Sequence, residues 1–155
     1  MKLIIVLFLI TASFLMFACK TDGRKSFSLS IEYSSPWAYP TKYTLTQNSI
    51  IVNGVSKRSD RQIKEVYKRA LTKNESDSIY TFLKSISYDT LKDRYQNPNF
   101  FDGTNIILKI SGEELKSKKV LVYMRSTKIT DTLQHLVQGQ VLTDKYKWDN
   151  YYKDE

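Results

Sequence analysis

The hydrophobic pattern changes period several times along this chain, and each change marks an element. From Leu3 to Ala18 the sequence is an unbroken uncharged run, and at Lys20 it turns abruptly polar. From Ser26 to Tyr33 polar and apolar residues alternate strictly, which places Phe27, Leu29, Ile31 and Tyr33 on one face of a strand. The segment Ser34 to Pro40, punctuated by Pro36 and Pro40, reads as a loop. Two strands follow, Lys42 to Thr46 and Ser49 to Val55, turning at Gln47-Asn48 and supported by the β-branched Ile50, Ile51 and Val52. Ile63 to Leu71 is a weaker strand, interrupted by charges, with a helix as the alternative.

Thr72-Lys73-Asn74-Glu75 has the spacing of a capping box, in which Thr and the Glu three residues later satisfy the first free amides of a helix. Within that helix Ile79, Phe82, Leu83 and Ile86 recur on one face, leaving Lys73, Asp77 and Lys84 in water. After a loop holding Asn97-Pro98-Asn99 and Asp102-Gly103, strands Asn105 to Ile110 and Lys118 to Met124 pair across Ser111-Gly112-Glu113-Glu114. A second helix starts at Thr130-Asp131 with Ile129, Leu133, Leu136 and Val137 inward, and the aromatic tail from Tyr146 to Tyr152 either packs on the sheet or frays. This order predicts an α+β fold, an antiparallel sheet of about six strands with two helices packed on one face, as a single domain over residues 26–155. Eleven Tyr and seven Phe, with few Gly and Pro, suit a packed core rather than a disordered chain.

The first run has a different meaning. Lys2 followed by the uncharged stretch is the charged tip and apolar core of an export signal, shorter than the roughly 20 apolar residues a membrane-spanning helix needs. The competing reading is an uncleaved anchor with an incidental cysteine, and both readings place the domain outside the cytoplasm. Met16-Phe17-Ala18-Cys19 resembles the lipobox of bacterial lipoproteins, Ala18 and Cys19 matching that pattern. The resemblance implies removal of residues 1–18, lipid attachment at Cys19, and a short tether over residues 19–25 that holds the domain to a membrane. Asp does not follow Cys19, which weighs toward an outer-membrane location in the cell envelope. The strand-rich half, capped helix, Tyr95 with a following Asp-Gly, hairpin and final helix ending near Trp148 look like a group of small lipoprotein domains of Bacteroidota. That likeness implies the same fold and compartment, and no activity.

Cys19 is the one cysteine, so the mature domain has no internal disulfide and depends on its core. The formal charge is +8, with 24 basic and 16 acidic residues. The densest basic stretch, Lys57, Arg58, Arg61, Lys64, Lys68 and Arg69, invites contact with anionic lipid headgroups or glycans such as lipopolysaccharide, and a solvated edge strand accounts for it equally. Nucleic acid is not expected as a partner outside the cytoplasm.

Catalytic and metal chemistry find little footing. His135 is the one histidine, which excludes a two-histidine zinc site, and its place on the helical wheel is the solvent side, away from the buried, oriented position a catalytic triad requires. Asn97, Asn99, Asp102 and Asn105 gather oxygens that calcium would use, but with one carboxylate and no EF-hand spacing they are better read as turn chemistry. Glu113 and Glu114 are adjacent and point apart, unlike a glycosidase pair. No glycine-rich phosphate loop and no nucleophile elbow occurs, and no cofactor is expected. Trp37 and Tyr39, between two prolines, would stack on a sugar ring or a partner side chain, or else cap the core. The resulting expectation is a membrane-anchored binding domain without enzymatic activity, for an envelope protein or an anionic envelope component. Its rivals are an envelope hydrolase built around Asp102 and His135, and an immunity or inhibitor lipoprotein. A toxin-directed inhibitor this basic would need an acidic target.

Overall fold

The strict alternation after Ser26 produces β1 (Phe27–Ser35), which becomes the centre of the sheet because both of its edges are paired. The structure, a computed structural model, describes residues 23–36, 38–55, 62–99 and 103–148. Residues 1–18, Cys19, Trp37, Lys57, Arg58, Arg61, Asp102, Tyr151 and Tyr152 lie outside the described residues.

On one side of β1 lie β2 (Ala38–Thr46), β3 (Ser49–Val55) and the edge strand β4 (Ile63–Ala70). On the other lie β6 (Asn105–Gly112), β7 (Leu115–Tyr123) and the short β5 (Arg94–Gln96). The seven strands run in the order β4-β3-β2-β1-β6-β7-β5, antiparallel at every step except the β5–β7 pair. Helices α1 (Lys73–Ser85) and α2 (Lys128–Gly139) complete an α+β fold.

Register places the core. Leu29, Leu45, Ile50 and Ile110 line up across neighbouring strands, as do Ile31, Tyr43, Val52, Leu108 and Val120, and all are buried. Ile79 and Leu83 of α1, with Leu133 and Val137 of α2, bury against this face in one cluster. Tyr80 of α1 meets Phe27, and Gln134 of α2 bonds Tyr33, two strand residues of the same parity; the two helices therefore share one side of the sheet. Among the described residues no helix is long and apolar enough to cross a membrane.

Four sequence expectations need correction. The sheet has seven strands rather than about six, because the three residues of β5 are too few to show a period and are recruited by pairing with β7. The loop expected up to Pro40 is shorter, since β2 already begins at Ala38. Pro40 is tolerated there because the β1–β2 ladder shifts between Tyr33 and Ser35, where its missing amide costs no bond. The hairpin expected over Ser111 to Glu114 tightens to Glu113-Glu114, with Glu114 in the left-handed region at φ 57°. Finally, α2 starts at Lys128, capped by Thr127 whose hydroxyl accepts the Thr130 amide while the Thr130 hydroxyl oxygen accepts the Thr127 amide. Thr at the third position closes the same reciprocal box that Glu closes in α1, so Thr130 belongs inside the helix.

Candidate functional site

Of the basic stretch, the described Lys64, Lys68 and Arg69 point different ways. Lys68 faces Ile51 and Lys64 faces Gly54, positions of opposite parity on β3, so these two side chains leave opposite faces of the edge strand. Arg69 is committed to the fold. Its guanidinium donates to the Gln140 carbonyl at 3.0 Å, the Gln140 side-chain oxygen at 2.7 Å and Glu75 at 3.0 Å. It thus joins the carbonyl end of α2 to the acidic first turn of α1, the sign each helix dipole favours. The Thr72 amide and hydroxyl hold Glu75 chiefly, and Arg69 adds to them, keeping this carboxyl below its ordinary range. Tyr39 is half-buried within β2 rather than on a free loop. In the 97–105 segment the Asn97 side-chain oxygen accepts the Asn99 amide at 3.1 Å, the turn role expected of it.

A cleft of about 440 Å³ opens where α2 meets the end of β1 and the chain after α2. Its floor is aromatic. Trp148 stacks on Tyr33 with ring centres 4.2 Å apart and planes 15° from parallel, and Tyr33 meets Tyr43 edge-on at 5.7 Å. The rim is a polar stripe at helical spacing, Asp131, Gln134, His135 and Gln138, faced by Lys147. Several of these groups hold the cleft open in its present shape. Tyr33 donates to Gln134 at 3.2 Å, the Trp148 amide donates to Gln138 at 3.0 Å, and Lys147 pairs with Asp144 at 2.6 Å.

Two features of this cleft were not extracted from the sequence. Gln138 buries its side-chain nitrogen without a hydrogen-bond partner among the described residues. Asp131 and His135 line the same wall four residues apart, with no ion pair between them, and His135 is exposed as the helical wheel predicts. The legible signal was the 131-134-135-138 polar stripe, which reads as a solvated helix face until β1 and Trp148 are seen to close over it. Among the described residues no group of three metal-ligating side chains comes together.

A second constellation sits at the opposite end of β1, where the expected tether enters. Arg24 donates to the carbonyls of Gln47 and Leu71, each at 3.1 Å, and Lys25 bonds Glu113 at 2.9 Å and Glu114 at 3.1 Å. Lys84 of α1 closes on Glu114 at 2.6 Å, and the Glu113 amide donates to Ser26 at 2.8 Å. Between these two ammonium groups the Glu114 carboxyl is held down to about 2, while Lys25 is raised by its two carboxylates. The last two residues of the expected tether are therefore fastened to the β6–β7 turn, the β2–β3 turn and, through Glu114, to α1.

Set against protein-family models, curated proteins and solved structures, the chain gives no match.

Proposed function

We propose that this chain is an envelope lipoprotein, held to the outer membrane by acylated Cys19, whose domain acts by binding an envelope protein or an anionic envelope component rather than by catalysis. The observation that carries the reading is the short interval between the Ala18-Cys19 junction and Arg24, the first fastened residue among those described. Five residues span at most about 18 Å, so an acylated Cys19 would keep the Arg24 end of the sheet beside the bilayer. Binding is favoured over chemistry because most polar groups of the cleft are engaged in shaping it, over an aromatic floor.

Intact-mass measurement of the protein purified from its native membrane tests the anchor. The expected species starts at Cys19 and carries fatty acyl groups, and Cys19→Ala releases the protein from the membrane fraction. An unprocessed, unacylated chain overturns the reading. The hydrolase alternative draws on Asp131 and His135 sharing one wall, with Asp131 in the place expected of Asp102. It predicts turnover of an envelope substrate that His135→Ala abolishes; binding that survives His135→Ala with no turnover supports the non-enzymatic reading.

A further inference from the structure

The face of the sheet away from the helices gathers cations from separate strands into neighbouring rows. Following the ladders across, one row reads Lys68, Ile51, Thr44, Ser30, Lys109, Lys119. The adjacent row holds Lys42 and Arg94 with two carboxylates, Glu32 and Glu65. All five cations are exposed, and none of them makes an ion pair or side-chain hydrogen bond among the described residues. Of the cations elsewhere, Lys25, Arg69, Lys84, Lys116 and Lys118 each hold a carboxylate, whereas Lys92, Arg125, Lys128 and Lys145 form no ion pair among the described residues. Five cations against Glu32 and Glu65 leave this face net positive. Lys109 and Lys119 even stand directly opposite each other on neighbouring strands, where like charges oppose pairing. An anion laid across them removes that repulsion.

We infer that this open face is a docking surface for anionic lipid headgroups of the bilayer to which the chain is tethered. From β4 to β7 the cations spread over about 24 Å at the usual strand spacing, too far for one small anion and suited to a surface of many charges. A protein partner fits less well, because protein interface cores are depleted of Lys and Ser, the residues that make up this face. The bilayer is near for the reason already given, so this inference rests on the anchoring reading for proximity, and on the charge pattern for everything else.

The test uses the native lipidated protein in nanodiscs of phosphatidylcholine, with or without phosphatidylglycerol, footprinted with an amine-reactive reagent and read by mass spectrometry. In anionic discs at low salt, labelling of Lys42, Lys68, Lys109 and Lys119 falls roughly fivefold relative to neutral discs, with Lys73 and Lys116 on the helix side unchanged. High salt restores it, and K109E/K119E abolishes the protection of Lys42 and Lys68. Equal labelling in the two discs overturns the inference, as does protection that persists in neutral discs at high salt, which would indicate a different contact. If the purified protein carries no acyl group, the anchoring reading fails by itself. The face is then tested by cosedimentation with vesicles of the same two compositions, and equal pelleting overturns it.

Discussion

Replacing Trp148 by Ala and Tyr33 by Leu, singly and together, tests whether the aromatic floor of the cleft is a specific stack or two independently buried rings. Tyr33 is 2% exposed and central, whereas Trp148 is half-buried and comes after α2. Fully buried large aromatics cost about 3–5 kcal/mol on truncation to Ala. A half-buried Trp148 therefore loses about 2 kcal/mol, and Tyr33→Leu, which keeps part of the apolar volume, loses about 2–3 kcal/mol. The Tyr33 bond to Gln134 and its edge-on contact with Tyr43 vanish in both backgrounds and cancel in the cycle. What remains is the stack itself, expected at about 0.5–1.5 kcal/mol. Urea denaturation followed by far-ultraviolet circular dichroism measures all four proteins, and with a slope of about 1.5 kcal/mol per molar each single variant shifts the midpoint by more than ~1 M. A coupling energy indistinguishable from zero, with both singles destabilised, would refute the stacked floor and with it the shape assigned to the cleft.

Three further outcomes follow from the packing and the electrostatics. Leu133→Ala, at a wholly buried position where α2 meets the sheet, costs about 2–5 kcal/mol and lowers the melting temperature by roughly 8–15 °C in calorimetry; a shift under ~2 °C would mean α2 is not packed there. Gly112→Ala brings a methyl within 2.6 Å of the Ser26 carbonyl and 2.9 Å of the Phe27 Cα, both backbone, so the turn must move; a loss of about 2 kcal/mol or more in the same urea assay is expected, and a neutral result would contradict the close approach of β6 to β1. Glu114 titrates near pH 2 by carbon-detected carboxyl NMR, and Lys84→Ala or Lys25→Ala moves its midpoint up. Because its folded value lies below the ordinary 4.5, the stabilisation it gives is complete above that pH and fades as the pH falls from there toward 2; an ordinary midpoint in the native protein would rule out the clamp.

How much of this was legible in the sequence depended on whether a feature was local. The alternation through Tyr33, the Thr72 box and the Ile79–Leu83 stripe each contain their own period or cap, and each forms where it is expected. β5 failed the same reading because a three-residue strand exists only through its partner β7. The start of α2 was displaced because Thr at the third position closes a capping box less familiarly than Glu, although the hydrogen bonds are the same. The basic stretch looked coherent as a string, yet strand alternation and a register shift between Val52 and Asn53 separate Lys64 from Lys68, and Arg69 turns inward to the helix termini. The open-face cations, conversely, are scattered over five strands, so only the register reveals them as neighbours.

Topology then links the two candidate surfaces to one another. β1 begins beside the fastened Arg24 and Lys25 and reaches Tyr33 about 20 Å farther on at the usual rise per residue. The cleft over Tyr33 therefore lies at the end of the sheet away from Arg24, and on its helix side, whereas the unpaired cations lie on the reverse side. A domain resting its cations on anionic headgroups would turn α1, α2 and the cleft toward the aqueous phase, where a partner could reach it. Had the charges gathered on the helix side, membrane contact would have covered the cleft and the two surfaces would compete. Because one sheet separates them, docking on the bilayer and occupation of the cleft are sterically independent, and charge reversal at Lys109 and Lys119 should leave binding at the cleft intact.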